Sequence, residues 1–315
     1  MKKFLKILLI SILIILIVSY LYSLISIKLS YKDLNSLIYE DSKFIKIDNF
    51  NLHYREHGEG DKIILLIHGF AASTYSFKDL FLPLSKYGKV IAIDLPGFGL
   101  TERPMKKSLN YNPYSREGQV EVIKKFLDTL KIRKVIILGH SMGGGIATYF
   151  TIKYPQYVEK LIIEDGALFD QEMGGVIIKF LRTPIGKFLW PLIVKPLVNQ
   201  ISKLKDIAYY EPNFIKEIDL EEYKKALFVK NWEYGLYEIA ISQENLNLKE
   251  KLKQIENEVL IIWGEFDKVI PKENGYEISS LIKNSEFKII KECGHVPHEE
   301  KRDEFLNILV NFIEK

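Results

Sequence analysis

A mainly parallel α/β sheet, covered by helices on both faces and roofed by an inserted helical segment, is the fold this sequence predicts. Three observations predict it. Short β-branched apolar runs recur along the chain and alternate with stretches whose apolar residues fall at helical spacing. The runs end in turns rich in Gly, Asp, Pro or His. One such end, Gly139-His140-Ser141-Met142-Gly143, has the strand-turn-helix pattern of a nucleophile elbow.

With 315 residues, 47% of them hydrophobic, the chain can bury one large core and carry a modest insertion. The net charge of +3 is concentrated at the start: residues 1–33 hold Lys2, Lys3, Lys6, Lys28 and Lys32 against Asp33. The remainder is slightly acidic, so no basic field for nucleic acid is left. A single cysteine, Cys293, excludes an internal disulfide framework and offers no thiolate cluster for a metal. It reads as a small buried thiol beside a strand end.

From Phe4 to Ile27 the sequence is almost unbroken Leu, Ile and Val, long enough to cross a ~30 Å hydrocarbon core as a helix. Lys2, Lys3 and Lys6 precede it, which predicts a cytoplasmic N-terminus and an extracytoplasmic body. The alternative is a signal peptide, removed to give a secreted protein. The sequence after the apolar run, with Tyr20-Leu21-Tyr22 and Leu24-Ile25, lacks a small-x-small cleavage site. An uncleaved signal anchor and stalk over residues 1–33 is therefore expected.

The body follows in order. Phe44–Asp48 and Leu52–Glu56 read as an antiparallel pair, and Lys62–Ile67 as a strand ending at His68-Gly69-Phe70. A helix is expected between Thr74 and Lys86. The strand Val90–Ile93 ends in Asp94-Leu95-Pro96-Gly97-Phe98-Gly99, and Val120, Ile123, Leu127 and Leu130 mark the next helix. Then come the strand at Val135, the elbow and its glycine-rich helix, and a strand at Leu161–Ile163. These complete a first core part, residues 34–165. Residues 166–247 break the alternation: Pro184, Pro191, Pro196 and Pro212 are expected to divide a helix-rich lid into short pieces. Its aromatics, among them Phe180, Phe188, Trp190, Tyr209 and Trp232, fit a roof over the site or simply the lid's own core. Residues 248–315 return to the sheet with Val259–Trp263, then Gly264-Glu265-Phe266-Asp267. The last strand, Phe287–Ile290, leads to Gly294-His295, and a closing helix is expected from about His298 to Ile313 after Pro297.

Ligands bind such sheets at the carboxyl ends of the strands, and the chemistry-bearing residues fall there. A serine hydroxyl needs a base, and the base needs a carboxylate to hold its tautomer. Ser141, Asp267 and His295, each just past an expected strand, supply that set in the order Ser…Asp…His. His298 is the rival base and Asp165 the rival carboxylate; Asp94 fits a role in its own loop. His53 and His57 lie in the early strand region, and His140 suits local packing.

Together, His68-Gly69-Phe70, Asp94-Leu95-Pro96-Gly97-Phe98-Gly99, Gly139-His140-Ser141-Met142-Gly143-Gly144, Gly264-Glu265-Phe266-Asp267 and Gly294-His295 resemble the α/β-hydrolase superfamily over residues 43–315. The resemblance implies an α/β-hydrolase fold with a helical cap. It implies Ser141 as nucleophile, Asp267 as acid, His295 as base, and the main-chain amides of Phe70 and Met142 as oxyanion hole. His68, Gly69, Gly139 and Gly143 would shape the site. With a serine at the elbow, the chain departs from the aspartate-nucleophile branches, the haloalkane dehalogenases and epoxide hydrolases. The anchor and aromatic lid look like the membrane-anchored monoacylglycerol-lipase-like branch.

The leading expectation is hydrolysis of a carboxylic ester with a medium-chain or monoacylglycerol acyl group, and no metal or organic cofactor is implied. The same triad could instead cleave a carbon–carbon bond of a diketone or act as a perhydrolase. A non-catalytic pocket for an apolar ligand is the third reading. Within the lid, Val176–Leu197 mixes apolar runs with Lys179, Arg182, Lys187 and Lys195. That mixture suits either an element on a bilayer surface or a solvated lid helix. Oligomeric state is not readable from the sequence.

Overall fold

The computed structural model describes residues 2–169, 175–198, 203, 205–211, 213–242 and 244–315. Eight strands form one sheet in the order β1-β2-β4-β3-β5-β6-β7-β8. They are β1 (Ser42–Ile47), β2 (Phe50–His57), β3 (Ile63–Ile67), β4 (Lys89–Ile93), β5 (Val135–His140), β6 (Val158–Glu164), β7 (Glu258–Gly264) and β8 (Ser285–Ile290). β1 and β2 pair antiparallel, as do β2 and β4, and the other pairings are all parallel.

Parallel strands buried on both faces read as continuous apolar runs, and β3 shows why. Leu65 and Ile67 join the core on one face and Ile64 and Leu66 the core on the other, all fully buried. The first face is covered by α3 (Arg116–Thr129) and α4 (Met142–Lys153), the second by the short α2 (Phe81–Leu84).

Between β6 and β7 the chain leaves the sheet for α5 (Gly175–Leu181), α6 (Pro184–Val198), α7 (Lys205–Ala208), α8 (Glu217–Lys224) and α9 (Trp232–Ile241). It returns through α10 (Leu248–Lys251), and α11 (Glu273–Leu281) links β7 to β8. After β8, α12 (Pro297–Glu300) and α13 (Arg302–Glu314) close the second face. The N-terminal helix α1 (Lys2–Ser30) precedes all of this; its apolar stretch Lys3–Ser30 is long and apolar enough to cross a membrane.

Three local expectations need correction. Pro191 and Pro196 do not divide the insertion, because α6 runs through both. Each withholds one amide, but Trp190, Pro191 and Val194 are buried and hold the helix together by packing. Pro184 does open that helix, and Pro212 lies outside the described residues. The helix expected between Thr74 and Lys86 is a 3-10 turn at Thr74–Phe77 and then α2. There Ser73 caps the first piece and Pro83 shortens the second. The closing helix is broken at Lys301, where Glu299 and Glu300 turn back to bind Tyr209 and Tyr210. Residues 273–281, unassigned from sequence, form α11.

Candidate active site

Ser141 sits between β5 and α4 with φ 53° and ψ −118°, a left-handed backbone that is strained for a non-glycine residue. The strain is sustained by close packing. A Cβ on Gly143 would stand 2.2 Å from the Ile67 carbonyl oxygen, so only glycine lets α4 begin against the end of β3. The Ser141 amide donates to Glu164 O at 2.8 Å, and Ala167 N donates to Ser141 O at 2.9 Å. The elbow is thereby clamped to the end of β6.

The ends of β7 and β8 bring in the other two groups. A Cβ on Gly264 would lie 1.7 Å from Gly294 O, so the two loops touch backbone to backbone. His295 Nδ1 stands 2.7 Å from Asp267 Oδ2, and its Nε2 2.9 Å from Ser141 Oγ. Facing an ionised carboxylate, Nδ1 carries the proton, leaving Nε2 to accept from the serine hydroxyl. The other oxygen, Asp267 Oδ1, accepts from the amides of Val269 and Ile270 at 2.7 and 2.9 Å. Both orientations of the carboxylate are thus taken up.

The β3 loop lies alongside: a Cβ on Gly69 would be 3.2 Å from Ser141 Cβ. Phe70 follows on that loop, and neither its amide nor that of Met142 has a hydrogen-bond partner among the described residues. Fully buried His68 donates from Nδ1 to Gly69 O at 2.7 Å and accepts from Leu95 N at Nε2. That pattern needs the neutral ring, and burial indeed pushes its pKa down. Asp94 ties its own loop as expected: its oxygens take Thr74 N, Leu100 N and His53 Nδ1, each at 2.7 Å. Cys293 is wholly buried, and burial pushes its thiol pKa up, which suits the inert reading.

Two rivals are separated from the serine. His298 bonds Glu164 Oε1 through Nδ1 and Ser76 Oγ through Nε2, both at 2.7 Å. Burial works against its charge, but Glu164 beside it raises its pKa on balance. Asp165 is fully buried behind Asp267 and accepts from Gly264 N at 3.0 Å. Burial first, and the charge of Asp267 second, push its pKa well above the usual carboxylate value. Asp165, Asp267 and His295 each offer one ligand atom, all within 4.8 Å of one another, the one such group of three among the described residues. Within that group His295 Nδ1 and Asp267 Oδ2 already bond each other.

A carboxyl that keeps its proton on folding makes stability fall as pH rises above its unfolded value, about 3.9, until the folded value is passed. Asp165→Asn has the shape of the protonated acid and keeps the oxygen that accepts from Gly264. It is expected to flatten that decline, raising the melting temperature at pH 8 more than at pH 5. A melting curve against pH with the wild-type slope would count against a raised pKa at Asp165.

Sequence reasoning missed how His140 and Glu299 serve this loop. His140 Nε2 donates to His295 O at 2.7 Å, fastening the imidazole's backbone across 155 positions of sequence. Burial and the neighbouring His295 and His298 hold its pKa well below the usual histidine value. Glu299 accepts from Tyr209 OH and Tyr223 OH of the inserted segment and from Ser76 Oγ. His295 N donates to Ala208 O at 2.7 Å. No local pattern announces these pairings. Over the serine opens a cavity of about 210 Å³ lined by Phe70, Ala71, Ile207, Ile215, Leu220 and Val269, with Lys205 and Lys224 at its edge.

A family model described as the alpha/beta hydrolase fold matches residues 62–302. The chain belongs to the α/β-hydrolase family. Within it, a 2-hydroxy-6-oxononadienedioate/2-hydroxy-6-oxononatrienedioate hydrolase of Pseudomonas putida is 27% identical over 290 residues, covering 87% of this chain and 97% of its own. The enzyme of that name from Escherichia coli K12 is 27% identical over 293 residues, covering 86% and 95%. Among solved structures, a meta-cleavage product hydrolase from Pseudomonas fluorescens IP01 is 26% identical with a TM-score of 0.68, over 86% of this chain and 97% of that one. A membrane phospholipase A is 24% identical with a TM-score of 0.67. That fold likeness covers 100% of this chain, α1 included, and 98% of the other. The chain is thus an α/β-hydrolase whose relatives are hydrolases of small molecules.

Proposed function

We propose that this α/β-hydrolase is a serine hydrolase in which Ser141 attacks a substrate carbonyl carbon. The observation that carries the reading is the unbroken chain from Ser141 Oγ through His295 to Asp267, at 2.9 and 2.7 Å. His295 takes the serine proton as the new C–O bond forms, and the oxyanion is received by the amides of Phe70 and Met142. Collapse expels the leaving group, which takes the proton from His295. Water, deprotonated by the same ring, then releases the acid and restores the serine. In this reading Asp267 orients the ring and stabilises its cation, and His68, Gly69, Gly139 and Gly143 shape the loops.

The bond broken is the finer question, and the relatives reverse the order that the sequence suggested. A 2-hydroxy-6-oxo-dienedioate contains no ester, so its hydrolysis at a carbonyl breaks a carbon–carbon bond. That likeness supports cleavage next to the ketone of a vinylogous diketone acid as the first reading here, with Lys205 in the cavity lining to attract an anionic end. Ester cleavage stands second, supported by the apolar lining of the cavity and the long apolar N-terminal helix. At about 210 Å³ the cavity is below the ~300–1,000 Å³ that houses drug-sized ligands, so either substrate presents a compact acyl group.

On this reading residues 166–247 act as a cap between the core parts 34–165 and 248–315. Residues 1–33 are a retained signal anchor, with the body extracytoplasmic, in preference to a cleaved signal and a secreted enzyme. The test is a panel of p-nitrophenyl esters of graded acyl length beside a vinylogous diketone acid, on the full-length protein with Ser141→Ala as the blank. A kcat/KM for the diketone above every ester supports the first reading, and the reverse order supports the second. Failure to turn over either class would overturn the proposal.

A further inference from the structure

The far end of α1 is built into the inserted helices. Ile27 is 2% exposed and packs with Leu181, Trp190, Val194, Trp232 and Tyr237. The Tyr20 ring stacks on Phe188 at 4.4 Å. Trp232 Nε1 donates to Ser30 Oγ at 3.2 Å, Tyr31 OH donates to Glu233 at 2.8 Å, and Lys195 Nζ donates to Ser26 Oγ. A leader destined for removal would not complete a core cluster of the body.

That joint constrains depth. Crossing ~30 Å of hydrocarbon as a helix takes about 20 residues. The Tyr20 ring stacks on α6, and the described side chains of residues 3–18 before it are exposed, which leaves roughly 24 Å of clear helix at ~1.5 Å per residue. The turn of α1 that touches Phe188 must therefore sit at the lipid boundary, and α6 must be there with it.

The surface brought to that level suits lipid. Val176, Ile177, Ile185, Phe188 and Leu197 on α5 and α6 are each more than half exposed, an apolar face that water alone would not favour. Lys106, Lys107 and Lys187 border a cleft of about 690 Å³ next to α6, and none has an ion-pair partner among the described residues. We infer that the outer face of α5 and α6 lies in the headgroup–acyl boundary of the bilayer that α1 crosses. There the three lysines meet the phosphates of an anionic leaflet. The inference rests on the signal-anchor reading and is independent of which bond the enzyme cleaves.

Nitroxide labels read the depth directly. Cys293 is buried, so a cysteine introduced by Ile177→Cys, Ile185→Cys, Leu9→Cys or Leu82→Cys is the one that labels. Leu82, on α2, is the exposed aqueous control. In full-length protein in nanodiscs, labels at residues 177 and 185 should gain oxygen collisions and lose those with a nickel chelate, as at residue 9, while residue 82 does the opposite. Adding phosphatidylglycerol to phosphatidylcholine should deepen residues 177 and 185, and Lys106→Gln, Lys107→Gln and Lys187→Gln together should abolish that response. Residues 177 and 185 behaving like 82 while 9 stays in lipid would overturn the docking and leave the anchor standing. An aqueous residue 9 would overturn both. Dipolar broadening at residue 177, with both reagents excluded, would mean that a second copy covers the face and would also overturn it. Equal depth in the two lipid mixtures would overturn the role of the lysines.

Discussion

Replacing Ser141 with alanine is expected to abolish covalent labelling by a fluorophosphonate and to lower turnover roughly 10⁴–10⁶-fold, because members of such a triad act as a unit. The fold should survive. Among the described residues the one hydrogen bond of the Ser141 side chain is to His295, and the contacts that clamp the elbow, to Glu164 O and from Ala167 N, are main-chain. Alanine at φ 53° is about as strained as serine, so the melting temperature should stay near wild type. What activity remains would come from the amides of Phe70 and Met142 and from substrate binding. Mass spectrometry of the labelled protein is the check: one adduct at Ser141 in the wild type and none in the variant. A correctly folded wild type that takes no label would refute the serine-hydrolase reading.

Why the meeting of Ser141, Asp267 and His295 could be read from sequence and its supports could not is a matter of range. Ser141, Asp267 and His295 each follow an apolar strand and a glycine, and in a parallel sheet all such ends lie along one rim. Local pattern plus topology therefore brings together residues 126 and 28 positions apart. The contacts of His140 with the His295 carbonyl, and of His298 with Glu164 across 134 positions, depend on side-chain packing that no periodicity records. His140 was expected to act locally and instead fastens the opposite loop. Prolines misled in α6 because the lost hydrogen bonds are local while the packing that offsets them, around Trp190 and Val194, is not. The junction of α1 with α6 was equally hidden. An unbroken apolar run has no polar face, so nothing in it distinguishes the turns that meet lipid from those that meet Trp232.

Asp267→Asn should cost about 10⁴ in kcat with little change in KM, since a wrong imidazole tautomer has about that effect. The geometry says why the tautomer must change. Asp267 Oδ1 accepts from two amides, Val269 N and Ile270 N, and an asparagine keeps those bonds only by leaving its oxygen there. Its NH₂ then faces His295 Nδ1 and donates to it, which drives the ring proton to Nε2. That nitrogen can no longer accept from Ser141, 2.9 Å away. Asp267→Ala is less informative, because it would also remove the acceptor of the two amides, one exposed and one half-buried, and so loosen the loop as well as the ring. Asp165 is the one neighbour that could blunt the effect. Part of what raises its pKa is the charge on Asp267, and that charge is gone in the asparagine variant. Burial is the larger cause and persists, so adding Asp165→Asn to Asp267→Asn should change kcat only slightly further. The downfield proton resonance of His295 Nδ1, present in the wild type and missing in Asp267→Asn, tests the tautomer independently of rate. Near wild-type turnover in Asp267→Asn, lost only when Asp165 is also replaced, would transfer the acid role to Asp165.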